Sequence, residues 1–338
     1  MNGSSRALAG VTALGVVLVA AAAGWTWFLS APTSSTRAAE PLTISIPQGA
    51  TARHVAQLLE REGVIRSARL FSLLLRFTGA DRRIQAGDHT IRAGLNAGQL
   101  VRELQRAELI TTAFTIPEGL TLDETAAVIA AAGIANRDEL RTAFQDPAPV
   151  LALDPRAPNL EGYLFPDTYR VFLAAKPREI AELLVATFRR RFADPRAAEI
   201  ERSGRTLRDI VTLASLVEEE TAVPLERPRV AGVFAERLAR GMRLQCDPTV
   251  IYALRLAGAW NGNLRREDLE RDHPYNTYTR AGLPPGPIAA PGLASLEAAL
   301  APQRDGSLYF VARRDGTHVF STSLEQHSRA VRQFQLRH

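Results

Sequence analysis

The chain has 338 residues, 46% of them hydrophobic and 23% charged, an ordinary globular composition that excludes disorder as the default state. Its net charge of +5 rests almost wholly on arginine, since Lys176 is the only lysine, and the arginines fall in short runs mixed with apolar and acidic residues. No phosphate-tracking stripe results, so nucleic-acid binding is not expected. Cys246 is the only cysteine and the six histidines show no HExxH or other close spacing, so an internal disulfide is impossible and neither a metal nor a cofactor is expected.

Residues 7–36 carry no charge, and the apolar run from Leu8 to Leu29, 22 residues, is long enough to cross a bilayer. Arg6 and the terminal amine precede it, which places the N-terminus in the cytoplasm and the rest of the chain across the membrane. Trp25, Trp27 and Phe28 fall where an aromatic belt would lie. A cleaved signal peptide, with Ala21-Ala22-Ala23 as its small residues, would have an apolar region of only about 7–15 residues. The length therefore favours a retained single-pass anchor, followed by a flexible linker from Pro32 to Glu40.

Beyond residue 41 the pattern predicts a strand over Leu42 to Ile46, helices over Ala52 to Arg61 and Ala68 to Phe77, a strand over Gln85 to Arg92 and a helix over Ala97 to Gln105. That order outlines a small α+β module. A related start recurs: Phe114 to Gly119 mirrors Ile44 to Gly49, and Thr121 with Glu124 forms a capping box for the next helix. Prolines and acidic residues from Asp146 to Pro158 mark a loop leading to Leu160 to Tyr169, where three aromatics and two carboxylates are crowded together. Helices are predicted over Arg178 to Phe192 and Glu226 to Arg240, with Gly241 capping the latter. Near the end, Leu308 to Val311 and Thr317 to Phe320 flank Asp315-Gly316, a hairpin signal.

The most informative stretch is 206–224. Thr206 and Asp209 have cap spacing, Ile210, Leu213, Ala214 and Val217 form one apolar stripe, and three glutamates precede Pro224. At roughly 100° per residue Glu219 points away from the stripe, whereas Glu218 and Glu220 sit on its shoulders. Such glutamates are commonly solvated surface. A partly desolvated carboxyl, however, has a raised pKa and can protonate a leaving glycosidic oxygen. The wheel ranks Glu218 first for that role and Glu220 second.

Two further segments carry candidate residues. In Gln245-Cys246-Asp247-Pro248-Thr249, Asp before Pro reads as an N-cap; a carboxylate so held has a depressed pKa and suits electrostatic stabilisation better than proton donation. Cys246 reads as a small packing residue. Tyr275 to Ile288 is stiff with prolines, and its tyrosines and asparagine offer stacking faces and hydrogen bonds for a polysaccharide. The alternative is a structural proline-rich loop or a docking segment.

Taken together, LEGYLFPDTY, ASLVEEETA, LQCDPTVIYAL, YNTYTRAGLPPGPIAAPG and YFVARRDGTHVFSTSLEQH resemble the endolytic murein transglycosylase family, also called YceG-like, over residues 41 to the end. The resemblance implies an α+β protein with an N-terminal anchor and linker over 1–40, a LysM-like module over 41–112 and a larger mixed α+β catalytic domain over 113–338. It implies a lyase that cuts peptidoglycan strands between N-acetylmuramic acid and N-acetylglucosamine to leave 1,6-anhydro ends, with Glu218 as the acid. Glu161, Asp167, Glu220, Gln245, Asp247, Tyr275, Asn276 and Tyr278 are implied to line or brace the cleft. Peptidoglycan synthases are the implied partners, and the cytoplasmic membrane, with the catalytic domain on its outer side, is the implied location. A different class of reading is a non-catalytic, membrane-tethered glycan-binding scaffold.

Overall fold

The computed structural model describes residues 42–335 apart from 48, 93, 106–110 and 173–174. They divide after Thr111 into two compact units, each with its own apolar core. The expected anchor and linker lie outside the described residues, among which no helix is long and apolar enough to cross a membrane.

The first unit contains β1 (Leu42–Ile46), α1 (Ala52–Arg61), α2 (Ala68–Phe77), β2 (Gly87–Ile91) and α3 (Ala97–Gln105). The strands pair antiparallel, with Leu42 opposite Ile91 and Ile46 opposite Gly87. Alternation in β1 buries Ile44 and Ile46 between exposed neighbours, the period-two pattern of a strand with one covered face. Thr51 and Ser67 open the first two helices by accepting the N–H of His54 and Leu70, and the covered faces meet around Leu59, Phe71, Leu75 and Leu100.

Strand β3 (Thr111–Thr115) leads into the second unit and pairs with β4 (Thr168–Phe172). Between them lie α4 (Leu122–Ala131), opened by the Thr121–Glu124 capping box, and α5 (Arg137–Gln145). Next come α6 (Pro177–Phe188), which runs into a π turn at Arg189–Ala193, then α7 (Ala197–Ser203) and α8 (Leu207–Glu220). The chain continues through α9 (Arg227–Ala239), α10 (Asp247–Leu256), α11 (Arg266–Glu270) and α12 (Leu293–Leu300). A hairpin of β5 (Tyr309–Ala312) and β6 (His318–Ser321) and the helix α13 (Leu324–Phe334) complete it. The two mirrored segments share a local form: each follows a strand, turns at a glycine of positive φ, Gly49 or Gly119, and enters a helix capped by threonine.

Helix α8 departs from the one-stripe expectation, since every residue from Ile210 to Val217 is buried. It is the axis of the unit, with α9, α10 and α12 packed around it. The stiff segment expected to present a sugar-binding face is in part a strap along this axis. Arg208 Nη1 donates to the Pro285 carbonyl, Ser215 Oγ accepts the Ile288 N–H at 3.1 Å, and Glu218 Oε2 accepts the Gly292 N–H at 2.8 Å. The strap thus runs alongside α8 in the same direction, and Ile288, Ala289 and Ala290 are buried.

The crowded segment 160–169 is likewise core rather than recognition surface: Tyr163, Phe165 and Tyr169 are all buried. Gly162 is where it meets the strap. Its φ is +83°, and a Cβ there would stand 2.4 Å from Pro287 Cβ and 3.0 Å from Val211 Cγ1. Gly162→Ala therefore combines overpacking with left-handed strain, an expected loss of roughly 2–4 kcal/mol. Thermal unfolding checks this, and an unchanged midpoint would contradict the close approach.

Candidate active site

The glutamate triplet closes α8, and its members meet three environments. Glu219 is exposed, while Glu218 and Glu220 are largely covered, and positions about 200° apart on a helix place those two on different sides.

Glu218 is engaged on both oxygens. Arg227 Nη2 stands 2.8 Å from Oε1, and the Gly292 N–H donates to Oε2. The Glu218 side chain is 6% exposed and that of Arg227 10%. Burial raises the Glu218 pKa; the Gly292 N–H, Ser295 and Arg227 oppose the rise and Glu118 adds to it. Glu118 also reaches Arg227, at 3.3 Å, and fills the space over Gly292, where a Cβ would lie 1.9 Å from Glu118 Oε1. Glu218 lines neither the cleft at Glu220 nor the one at Glu161.

Glu220 faces a cleft of about 500 Å3 that Gln245, Asp247 and Tyr278 also line. Burial lifts its carboxyl to about 7, and the Asp247 charge adds to the rise; the Cys246 thiol, His318 and Arg237 oppose it. Arg237 does not neutralise it by direct pairing, because its guanidinium donates to the carbonyls of Leu244 at 2.6 Å and Leu308 at 2.7 Å. Across the cleft His318 is fixed by Glu226, with Nδ1 to Oε2 2.7 Å and the His318 N–H to Oε1 3.0 Å.

Asp247 does not act as the expected cap. Cys246 occupies the N-cap position without a side-chain bond, Pro248 lies in the first turn, and Asp247 Oδ1 accepts the Tyr278 hydroxyl proton instead. Gln245 beside it is the single non-glycine residue of positive φ among the described residues, at 52°. The Gln245 and Cys246 N–H groups donate to the carbonyl and hydroxyl of Thr277, so the strained turn is held from the neighbouring loop. Cys246 is fully buried, in keeping with a packing residue.

Other expected residues lie elsewhere. Glu161 is buried at a second cleft of about 560 Å3, where it accepts from the Leu122 N–H at 2.9 Å and the Tyr252 hydroxyl at 3.1 Å. Burial lifts its carboxyl to about 7. Asp167 pairs with Arg191 at 3.0 Å and accepts the Thr168 N–H, lining neither cleft. Asn276 is 1% exposed; its Nδ2 donates to the Leu269 and Arg271 carbonyls and its Oδ1 accepts the Tyr278 N–H, so it braces the loop rather than meeting a ligand. Tyr275 packs on Tyr252 with ring centroids 4.9 Å apart. Among the described residues no group of three His, Cys, Asp or Glu side chains converges on a metal position.

Sequence reasoning missed Arg227, Arg237 and the Glu226–His318 pair. A signal for the arginines was present: Arg227, Val230, Phe234 and Arg237 share one face of α9, and a charge recurring on an apolar stripe asks for a buried partner.

The arrangement is of the carboxylic-acid class: a protonatable glutamate opens into a cleft beside a hydrogen-bonded aspartate. Comparison with known proteins agrees with the pattern of motifs. The model of the YceG-like family matches residues 44–333, and the chain belongs to that family. It is 31% identical over 310 residues to the endolytic murein transglycosylase of Bacillus subtilis, covering 87% of this chain and 84% of that protein. The similarly named Streptococcus pneumoniae D39 protein is 29% identical over 320 residues; the match covers 86% of this chain and 58% of that longer relative. The crystal structure of a yceG-like protein from Listeria monocytogenes superposes with a TM-score of 0.59 at 32% identity, covering 86% of this chain and 99% of the other.

Proposed function

We propose that this protein is a peptidoglycan lytic transglycosylase that cuts within glycan strands, and that Glu220 rather than Glu218 supplies the proton. The observation carrying the assignment is that Glu220 is the member of the triplet that lines the cleft with Asp247 and Tyr278; burial lifts its carboxyl to about 7, as it does that of Glu219, which does not line that cleft. Glu218 has both oxygens occupied, by Arg227 and by the strap. The reading also draws on family membership and on relatives named endolytic murein transglycosylase.

In this mechanism Glu220 protonates the glycosidic oxygen as the bond to the muramic acid anomeric carbon breaks. The resulting carboxylate takes the proton of the same sugar's 6-hydroxyl as that oxygen closes on the anomeric carbon. One C–O bond breaks, one forms, no water is consumed and Glu220 ends protonated as it began. The Asp247 carboxylate, oriented by Tyr278, supports the charge developing on the ring and keeps Glu220 protonated.

Activity should follow that proton. Because the Glu220 pKa of the free protein is raised to about 7, the acid form dominates below that value and is lost above it, so kcat/KM is expected to fall tenfold per unit on the alkaline side. A pH–rate profile on nascent strands checks this, and a flat profile from pH 6 to 9 would exclude Glu220 as the acid. Mass spectrometry of strand ends separates the classes of reading: anhydro ends mark a lyase, reducing ends a hydrolase, and neither a binding scaffold.

The apolar run at 8–29 serves as a single-pass anchor in the cytoplasmic membrane with the catalytic unit outside. The small unit is a LysM-like module, a reading supported by its strand, helix, helix, strand order. Glu161, Gln245 and Asp247 form or brace the strand-binding surface, and strand-synthesising enzymes are the partners.

A further inference from the structure

The second cleft, of about 560 Å3, has no part in the proton transfer, yet it shares helix α10 with the cleft at Glu220. Helix α10 lines both: Asp247 at its start faces the Glu220 cleft, whereas Tyr252 and Arg255 face the other. Eight residues of helix separate Asp247 from Arg255, about 12 Å along the axis. The end of α8 lies between the two: Glu220 opens on one side, while Glu219 lies against Gly119 and feels the charges of Glu124 and Arg255.

Its lining describes the ligand. Arg255 pairs with Glu124 at 2.8 Å and Arg141 with Asp123 at 2.6 Å, so these four charges offset one another. The remaining carboxyl, Glu161, is buried, lifted to about 7 and bonded to Leu122 and Tyr252, so no charged side chain is left over to select an anion. Asn159 and Gln145 contribute carboxamides, and the half-buried Trp260 contributes an aromatic surface. Neutral hydrogen-bonding groups beside an aromatic ring suit a sugar with hydroxyl and acetamido groups. The volume is in the range of small-molecule sites.

We propose that this cleft is a distal saccharide subsite, holding a neutral N-acetylated sugar of the same strand whose bond is broken at Glu220. The proposal rests on the reading above: an enzyme that cuts within a strand must hold it on both sides of the cut, and a polymer laid along α10 meets both clefts. Glu161 then acts as the floor of the subsite, tying α4 through the Leu122 N–H to α10 through Tyr252.

The test is calorimetric titration of full-length Glu220→Gln protein with the hexamer of β-1,4-linked N-acetylglucosamine. The hexamer is expected to bind, Trp260→Ala in the same background to weaken it about tenfold, and Trp260→Phe to restore most of the loss. Thermal unfolding of the tryptophan variants guards against misfolding. With otherwise wild-type protein, Trp260→Ala should raise KM on long strands about tenfold with kcat held. No hexamer binding, or equal binding with Ala at 260, overturns the subsite. Continued cleavage by the Glu220→Gln protein would instead overturn the acid assignment, and the titration would still report on this cleft.

Discussion

Glu220→Gln is expected to abolish release of anhydro-ended fragments, with kcat down by at least about 10³-fold. A positioned general acid contributes about 10²–10⁴, and here the same group must also take the 6-hydroxyl proton back, so both halves of the transfer fail together. The carboxamide keeps the shape of the protonated carboxyl, so strand binding should persist. Stability gives an independent check of sign. A carboxyl whose pKa rises from 4.5 to about 7 on folding favours the folded state most below 4.5 and loses that contribution as pH climbs through 7. The glutamine variant should therefore unfold at a higher temperature than wild type above pH 7 and lose that advantage in acid. Mass spectrometry of strand ends and melting curves across pH read the two effects. Full turnover by Glu220→Gln together with an inactive but folded Glu218→Gln would return the acid role to Glu218.

Much of the fold was legible because its signals are short-range. The Thr121–Glu124 box, the hairpin around Gly316 and the helix after Thr206 each depend on residues within one turn of each other, and each forms. The small shifts, such as β5 beginning at Tyr309 rather than Leu308, are end effects. The choice within the triplet was not legible in the same way. A helical wheel places Glu218 and Glu220 on the two shoulders of the stripe and ranks Glu218 first, but it does not show the partners that separate them in the structure, Arg227, nine residues on, and the Gly292 N–H, 74 residues on. Aromatic residues misled for a related reason. Tyr163 and Tyr169 have the composition of a sugar platform, yet their hydroxyls are satisfied by Asp154 and the Phe165 carbonyl inside the core. Asn276 likewise spends its amide on neighbouring carbonyls. An aromatic or amide side chain serves core and ligand equally well, and only its partners decide between them.

The other large effect belongs to Glu218, and it is on stability. With Glu218 and Arg227 side chains 6% and 10% exposed, Glu218→Gln leaves a buried guanidinium facing a neutral amide, and breaking a buried pair from one side costs about 3–5 kcal/mol. Glu118 compensates poorly, since it is 47% exposed and 3.3 Å away. At roughly 2–4 °C per kcal/mol for a domain of about 150–250 residues, the melting midpoint should fall by about 6–20 °C. Below that midpoint most of the turnover should remain, which separates this variant from Glu220→Gln. Replacing both partners, Glu218→Leu with Arg227→Met, removes the stranded charge and should recover most of the loss, because a buried pair contributes little beyond an apolar pair of similar volume. Recovery has a ceiling, however: the Gly292 N–H loses its acceptor in the double variant, a cost of about 1–3 kcal/mol. A melting midpoint for Glu218→Gln within a degree of wild type would mean that water already reaches the pair, and the strap would then need another explanation for its path along α8.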